Sequence, residues 1–135
     1  MGIEWLVGTN CTRVYELYPQ NFTFGFGAAS LAVDCLWRVI ERGRLRLTSG
    51  DHGQRYGLSA PIDAHVEAVA LLRGRCITAA QFRGGTADLI LEFEGDIQLE
   101  VIADSSGYEP WSLTAPGVHL VGLGGGGLAD LSPTI

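Results

Sequence analysis

The stretch from Leu89 to Val101 restricts the possible folds more than any other. Leu89, Leu91 and Phe93 alternate with Ile90 and Glu92, and Ile97, Leu99 and Val101 alternate with Gln98 and Glu100. A period of two puts each apolar set on one face of a strand. Glu94-Gly95-Asp96 supplies the turn between them, with Gly95 free to take a positive φ. An isolated hairpin is marginal in water, so something must cover its apolar face.

The chain offers a second, related hairpin as the cover. Phe22, Phe24 and Phe26 match Leu89, Leu91 and Phe93 at an offset of 67, and Leu31 and Val33 match Leu99 and Val101 at 68. Leu6-Val7-Gly8 with Cys11 resembles Leu72-Arg73-Gly74 with Cys76, and Trp37 has a counterpart in Trp111. The repeats run from about 6 to 39 and from about 72 to 113. Each unit bares one apolar face that only the other can bury. The expected fold is mainly β: two duplicated antiparallel meanders sharing one core in a single domain, 1–135.

Between the repeats the period changes. Ile62, Val66, Val69, Ala70 and Leu72 recur at helical spacing, with Pro61 in the first turn, Ser59 as cap and Gly74 as stop. This predicts one connecting helix over 62–72. Elsewhere the pattern predicts a strand from Thr9 to Leu17 and a single returning strand from Leu31 to Val39. It also predicts a long loop over 49–61, strands from Cys76 to Phe82 and from Val118 to Leu123, and a strand end or tail from Leu128 to Ile135.

Hydrophobic residues make up 47% of the chain and charged residues 18%, which excludes a disordered chain. The net charge of -6 argues against nucleic acid as partner, because phosphate binding needs a positive field. No apolar run is long enough for a membrane helix, and the N-terminus carries no basic leader. Three cysteines without framework spacing read as buried thiols, and a cytoplasmic location is expected.

Taken in order, several short motifs resemble a known family. They are Cys35-x-Trp37-Arg38-Val39, Thr48-Ser49-Gly50-Asp51, Leu72-x-Gly74-Arg75, Asp88 to Phe93, Tyr108-Glu109-Pro110-Trp111 and the glycine run before Leu128-Ala129. This order resembles a family of small bacterial proteins grouped as a domain of unknown function, with immunity proteins of toxin systems among similar proteins. The resemblance implies a β-rich fold and an inhibitor-like role, and transfers no catalytic residues.

The candidate chemistry is sparse. Asp51, His52 and His119 are the residues from which a hydrolase would be built, with Ser49 nearby, but sequence neighbours rarely face each other. His65 has no ligand at i+4, and no CxxC, HxxxH or HExxH spacing occurs, so neither a metal nor a cofactor is expected. The glycine run at 124–127 lacks the Lys-Ser/Thr of a phosphate loop and reads as a turn or a close-packed strand. Glu92, Glu94, Asp96 and Glu100 form a solvated acidic face suited to a basic protein partner. Trp37, Arg38 and Trp111 are candidate interface anchors, with Arg38 expected to pair with Asp51 or Glu109. The leading expectation is a non-enzymatic, immunity-like protein-binding module. A small-ligand β-domain with a pocket of Trp37, Tyr56 and Trp111 is the alternative, and exposed strand edges leave a homodimer open.

Overall fold

The structure, a computed structural model, describes residues 2–133. Eleven strands form two antiparallel sheets among these residues. The strands are β1 (Arg13–Tyr15), β2 (Phe22–Phe26), β3 (Ala29–Val33), β4 (Leu36–Glu41), β5 (Arg44–Thr48), β6 (Ile77–Arg83), β7 (Asp88–Phe93), β8 (Ile97–Ile102), β9 (Trp111–Ala115), β10 (Val118–Gly122) and β11 (Leu128–Asp130). One sheet runs β1-β2-β3-β9-β10-β11, the other β5-β4-β8-β7-β6. Short 3-10 turns lie at Glu4–Leu6 and Ser49–Asp51, and one helix, α1, spans Ala64–Leu72. Of the last expected segment, Leu128–Asp130 is strand, and residues 134 and 135 lie outside the described residues.

The stretch expected as one strand over 31–39 is two. It breaks at Asp34-Cys35, where the chain leaves the six-stranded sheet at Val33 and enters the five-stranded sheet at Leu36. The second half does the same after Ile102, through a longer corner that ends at Pro110. Each half therefore lays three strands in one sheet and its next two in the other. The registers match: Val33 lies opposite Trp111, and Val101 lies opposite Trp37. Phe22 lies opposite Val33 and Leu89 opposite Val101, so the offsets of 67 and 68 correspond to equivalent places in the ladders. The residue before each repeat's leading apolar position ties down the corner that follows the hairpin. Asn21 donates through Nδ2 to the Val33 carbonyl (3.4 Å) and to Asp34 (3.0 Å), and Asp88 accepts from the Ala103 amide at 2.8 Å.

The buried set spans both sheets and includes Phe24, Leu31, Trp37, Leu89, Leu99 and Trp111. The first strand is shorter than expected. Residues 10 and 11 instead bridge to Cys76 and Arg73, so the starts of the two repeats lie side by side. Helix α1 begins two residues later than expected. Asp63, not Ser59, caps it, accepting from the amides of His65 and Val66. Its buried face is Ala64, Ala68 and Leu72, while Val66 is exposed.

The halves diverge where the second closes on itself. The Trp111 indole donates to the Ala87 carbonyl at 2.7 Å, whereas the buried Trp37 indole N–H has no partner among the described residues. Gly122 makes room for Trp111: a Cβ there would sit 2.7 Å from the indole nitrogen. The register places Ser49 at the equivalent point beside Trp37, and its Oγ accepts from the Trp37 amide. A side chain there excludes the pose that Trp111 takes. An unpartnered buried donor costs about 1–3 kcal/mol.

The glycine run packs backbone on backbone. A Cβ on Gly126 would lie 1.9 Å from the Gly85 carbonyl oxygen, and one on Gly124 2.7 Å from the Ser106 oxygen. Gly126 also has φ +97, which L side chains rarely adopt. Gly126→Ala is expected to destabilise the fold by about 2–4 kcal/mol, read as a lower urea midpoint with an unchanged slope. A midpoint equal to that of the parent protein contradicts the sealing role of this contact.

Candidate functional site

The acidic residues of the central hairpin are only partly free. Glu92 and Asp96 are exposed on β7 and in the turn after it. Glu94 accepts from the Cys76 amide at 2.8 Å. Glu100 accepts from the Arg38 Nε at 2.5 Å and from the Gln98 amide. Arg38 thus pairs with Glu100, not with Asp51 or Glu109, because the two are direct register partners across β4 and β8. The hairpin face is therefore mixed in charge. Trp37 and Trp111 are 0% and 1% exposed and belong to the core, while Tyr56 is 67% exposed and donates to Asp51. These three do not line one pocket, since neither tryptophan presents a face to a ligand.

The hydrolase candidates also go to separate tasks. Asp51 accepts from the Thr48 amide at 3.0 Å, closing the capping box of the 3-10 turn. His52 accepts at Nδ1 from the Ala64 amide at 3.0 Å. His119 lies on β10, three strand spacings from β2 and thus roughly 14 Å away across the sheet. His52, in contrast, lies edge-on to Phe22 of β2.

A concavity lies where the chain crosses between sheets, at the end of the first half that no glycine run seals. It holds about 480 Å³ and is walled by Phe22, Val33 and Leu36, with Asp34, His52 and Asp104 at its polar edge. Asp34 and Asp104 also line an adjoining hollow of about 600 Å³, bounded by Tyr18, Tyr108 and Glu109. Three carboxylates line this double cleft and no arginine does. Asp34 is held in place by the Tyr18 hydroxyl and the Asn21 amide, both donating to it. The negative field registers on its neighbours. Burial first, then Asp104, Asp34 and Asp88, push the Cys35 thiol up to about 12. Burial and then Asp34 push the Tyr18 hydroxyl up to about 12. Cys35 is thus a thiol held against ionisation.

Beside the cleft, the fold gathers a group that sequence spacing passes over. One potential ligand atom from each of His52, Asp63 and His65 lies within 4.8 Å of the others. The loop after the 3-10 turn returns His52 to the start of α1, where Asp63 is the cap and His65 the second helical residue. Phe22 supports both imidazoles, stacking on His65 at 4.2 Å and lying edge-on to His52 at 5.5 Å. The ten residues between His52 and Asp63 form a loop, so no helical or strand period signals their convergence. The Asp63-x-His65 pair was the one local clue.

The thiol environments give a direct expectation. A thiol raised from 9.0 to about 12 carries about 1000-fold less thiolate at pH 8. Cys11, raised to about 11 mainly by burial, carries about 100-fold less. Iodoacetamide labelling of the native protein at pH 8, followed by peptide mapping, should therefore modify Cys35 and Cys11 far more slowly than after unfolding in urea. Equal rates in the two states contradict the assignment.

No family model, curated protein or solved structure matches this chain.

Proposed function

We propose that the protein is a non-enzymatic binding module whose acidic cleft docks a basic protein partner, in the manner of an immunity-like inhibitor. The observation that carries this reading is the run of Asp34, Asp104 and Glu109 along one cleft with two tyrosines and no arginine. Carboxylates grouped without counter-charges attract and orient a cationic surface, which speeds encounter more than it deepens affinity. Tyr18 and Tyr108 are 46% and 82% exposed and offer flat apolar contact and cation–π faces to arginine or lysine side chains. The net charge of -6 acts in the same direction at longer range and opposes nucleic acid. Glu92 and Asp96 on the central hairpin are a secondary acidic patch, with Arg75, which donates to the Glu94 carbonyl at the turn, reducing its field.

A second reading has its own observation. The inner part of the cleft, about 480 Å³ with Phe22, Val33 and Leu36 as walls, has the size and lining of a small-molecule pocket. Its carboxylates select a cationic ligand. The two readings separate by the position of the contacts: a small ligand depends on the inner walls, a protein on the outer rim.

Affinity capture from the source cells tests the first. Wild-type bait should retain a basic protein that elutes as salt rises, because exposed charge pairs are screened within about 8–10 Å at physiological ionic strength. Bait carrying Asp104→Lys and Glu109→Lys should lose it, while circular dichroism matches wild type. Retention of the same protein by both baits, or capture of none, counts against the cleft as a docking site.

A further inference from the structure

We propose that His52, Asp63 and His65 form a site for a divalent transition metal at the N-terminal end of α1, beside the cleft. The argument starts from hydrogen atoms. A backbone carbonyl only accepts, so the contact between His65 Nε2 and the Asn21 carbonyl, at 3.0 Å, places a proton on Nε2. In the neutral ring this leaves a lone pair on Nδ1, and Nδ1 lies 3.5 Å from the Asp63 carboxylate. The atom that faces this lone pair is Asp63 Oδ1, so two acceptors lie against each other at a His65 side chain that is only 13% exposed. That arrangement calls for a cation. The Nε2–H to carbonyl bond also matches the way proteins orient a metal-ligating imidazole through its second nitrogen.

The remaining donors fit the same ion. Asp63 Oδ1 already accepts from the amides of His65 and Val66, which leaves Oδ2 for a metal. His52 brings its ring to 5.0 Å from that of His65, at right angles to it. Its Nδ1 accepts from the Ala64 amide, which leaves Nε2 as the nitrogen able to take a metal. Coordination through Nε2 moves the ring proton to Nδ1 and releases that amide. Two imidazoles and one carboxylate suit zinc and its neighbours better than calcium or magnesium, which prefer all-oxygen shells. Three protein ligands leave a fourth position, and His52 itself lines the cleft. The inference does not rest on a protein partner, since it uses none of the cleft's outer rim.

The test uses the full chain, stripped with a chelator and titrated with cobalt(II) and zinc at neutral pH. Wild type should bind one cobalt per chain with visible ligand-field bands, and zinc should displace it. Asp63→Asn keeps the helix cap, since asparagine caps as well as aspartate. It and His65→Gln should each weaken binding by at least about tenfold, with far-ultraviolet circular dichroism unchanged. His119→Gln should bind as wild type does. Zinc should also shift the Ala64 amide resonance, the signature of His52 joining the shell. The proposal is overturned by lack of stoichiometric binding, as expected if a protonated His65 simply pairs with Asp63. It is equally overturned by unchanged affinity in Asp63→Asn and His65→Gln, by loss in His119→Gln, or by an Ala64 amide that zinc does not move.

Discussion

Two cross-strand pairs hold the architecture together: Val33 against Trp111, and Val101 against Trp37. Each joins the last residue of one half's hairpin face to the first large residue contributed by the other half. Because the first half gives two strands to the sheet begun by the second, and the second gives three to the sheet begun by the first, neither sheet can be completed by one half alone. Burial of Trp37 and Trp111, at 0% and 1% exposure, then fixes both sheets at once. Aromatic side chains of this size bury some 150–250 Å² each, so these two positions carry much of the core's hydrophobic term. Phe22 and Phe24 meet Trp37 edge to face at 5.0 and 5.3 Å, which specifies orientation in addition to burial.

An exact duplicate would have two equivalent ends. This chain has one closed end and one open end, and the difference traces to small residues. Gly122 admits the Trp111 indole to the Ala87 carbonyl, and Gly124 and Gly126 let three stretches of backbone pack without side chains between them. In the first half, Ser49 stands at the place of Gly122. There the chain continues into a 3-10 turn and a loop that delivers His52 to α1. The open cleft and the imidazole cluster are therefore products of the same divergence. The orphaned indole N–H of Trp37 marks the stability cost of that divergence in the core.

The two hairpins were legible because strand periodicity and register are local properties that a fixed offset preserves. The corner at Asp34-Cys35 was not. Val33, Cys35, Trp37 and Val39 continue a period-two pattern across it, and only the change of sheet, a long-range fact, interrupts the strand. Arg38 was assigned the wrong carboxylate for a related reason: its partner follows from the β4–β8 register, which neither sequence distance nor motif reveals. The helix was legible in extent, but its buried face was not. Ala64 and Ala68 are small and carry little hydrophobic signal, yet small residues are what a close approach to β1 and β5 accommodates. The convergence of His52, Asp63 and His65 lay beyond reach because a loop closes it.

The placement of charge favours function at the corners over function on the sheet faces. On the faces, acids meet arginines: Glu100 with Arg38, Glu41 with Arg46 and Arg75, and Asp88 with Arg83. These pairs offset self-repulsion in a chain with fifteen acids and nine arginines. In the cleft, Asp34, Asp104 and Glu109 line one hollow without such pairing, and Asp104 and Asp34 add to burial, the larger cause, in opposing ionisation of Cys35 beside them. Selection for stability alone would relieve that repulsion with a single arginine on an exposed corner, a change the surface tolerates readily. Corner loops on a rigid, interlocked frame are also where binding residues are commonly carried. Like charge left unrelieved at the open end of the fold is the arrangement that a counter-charge from outside the chain would neutralise.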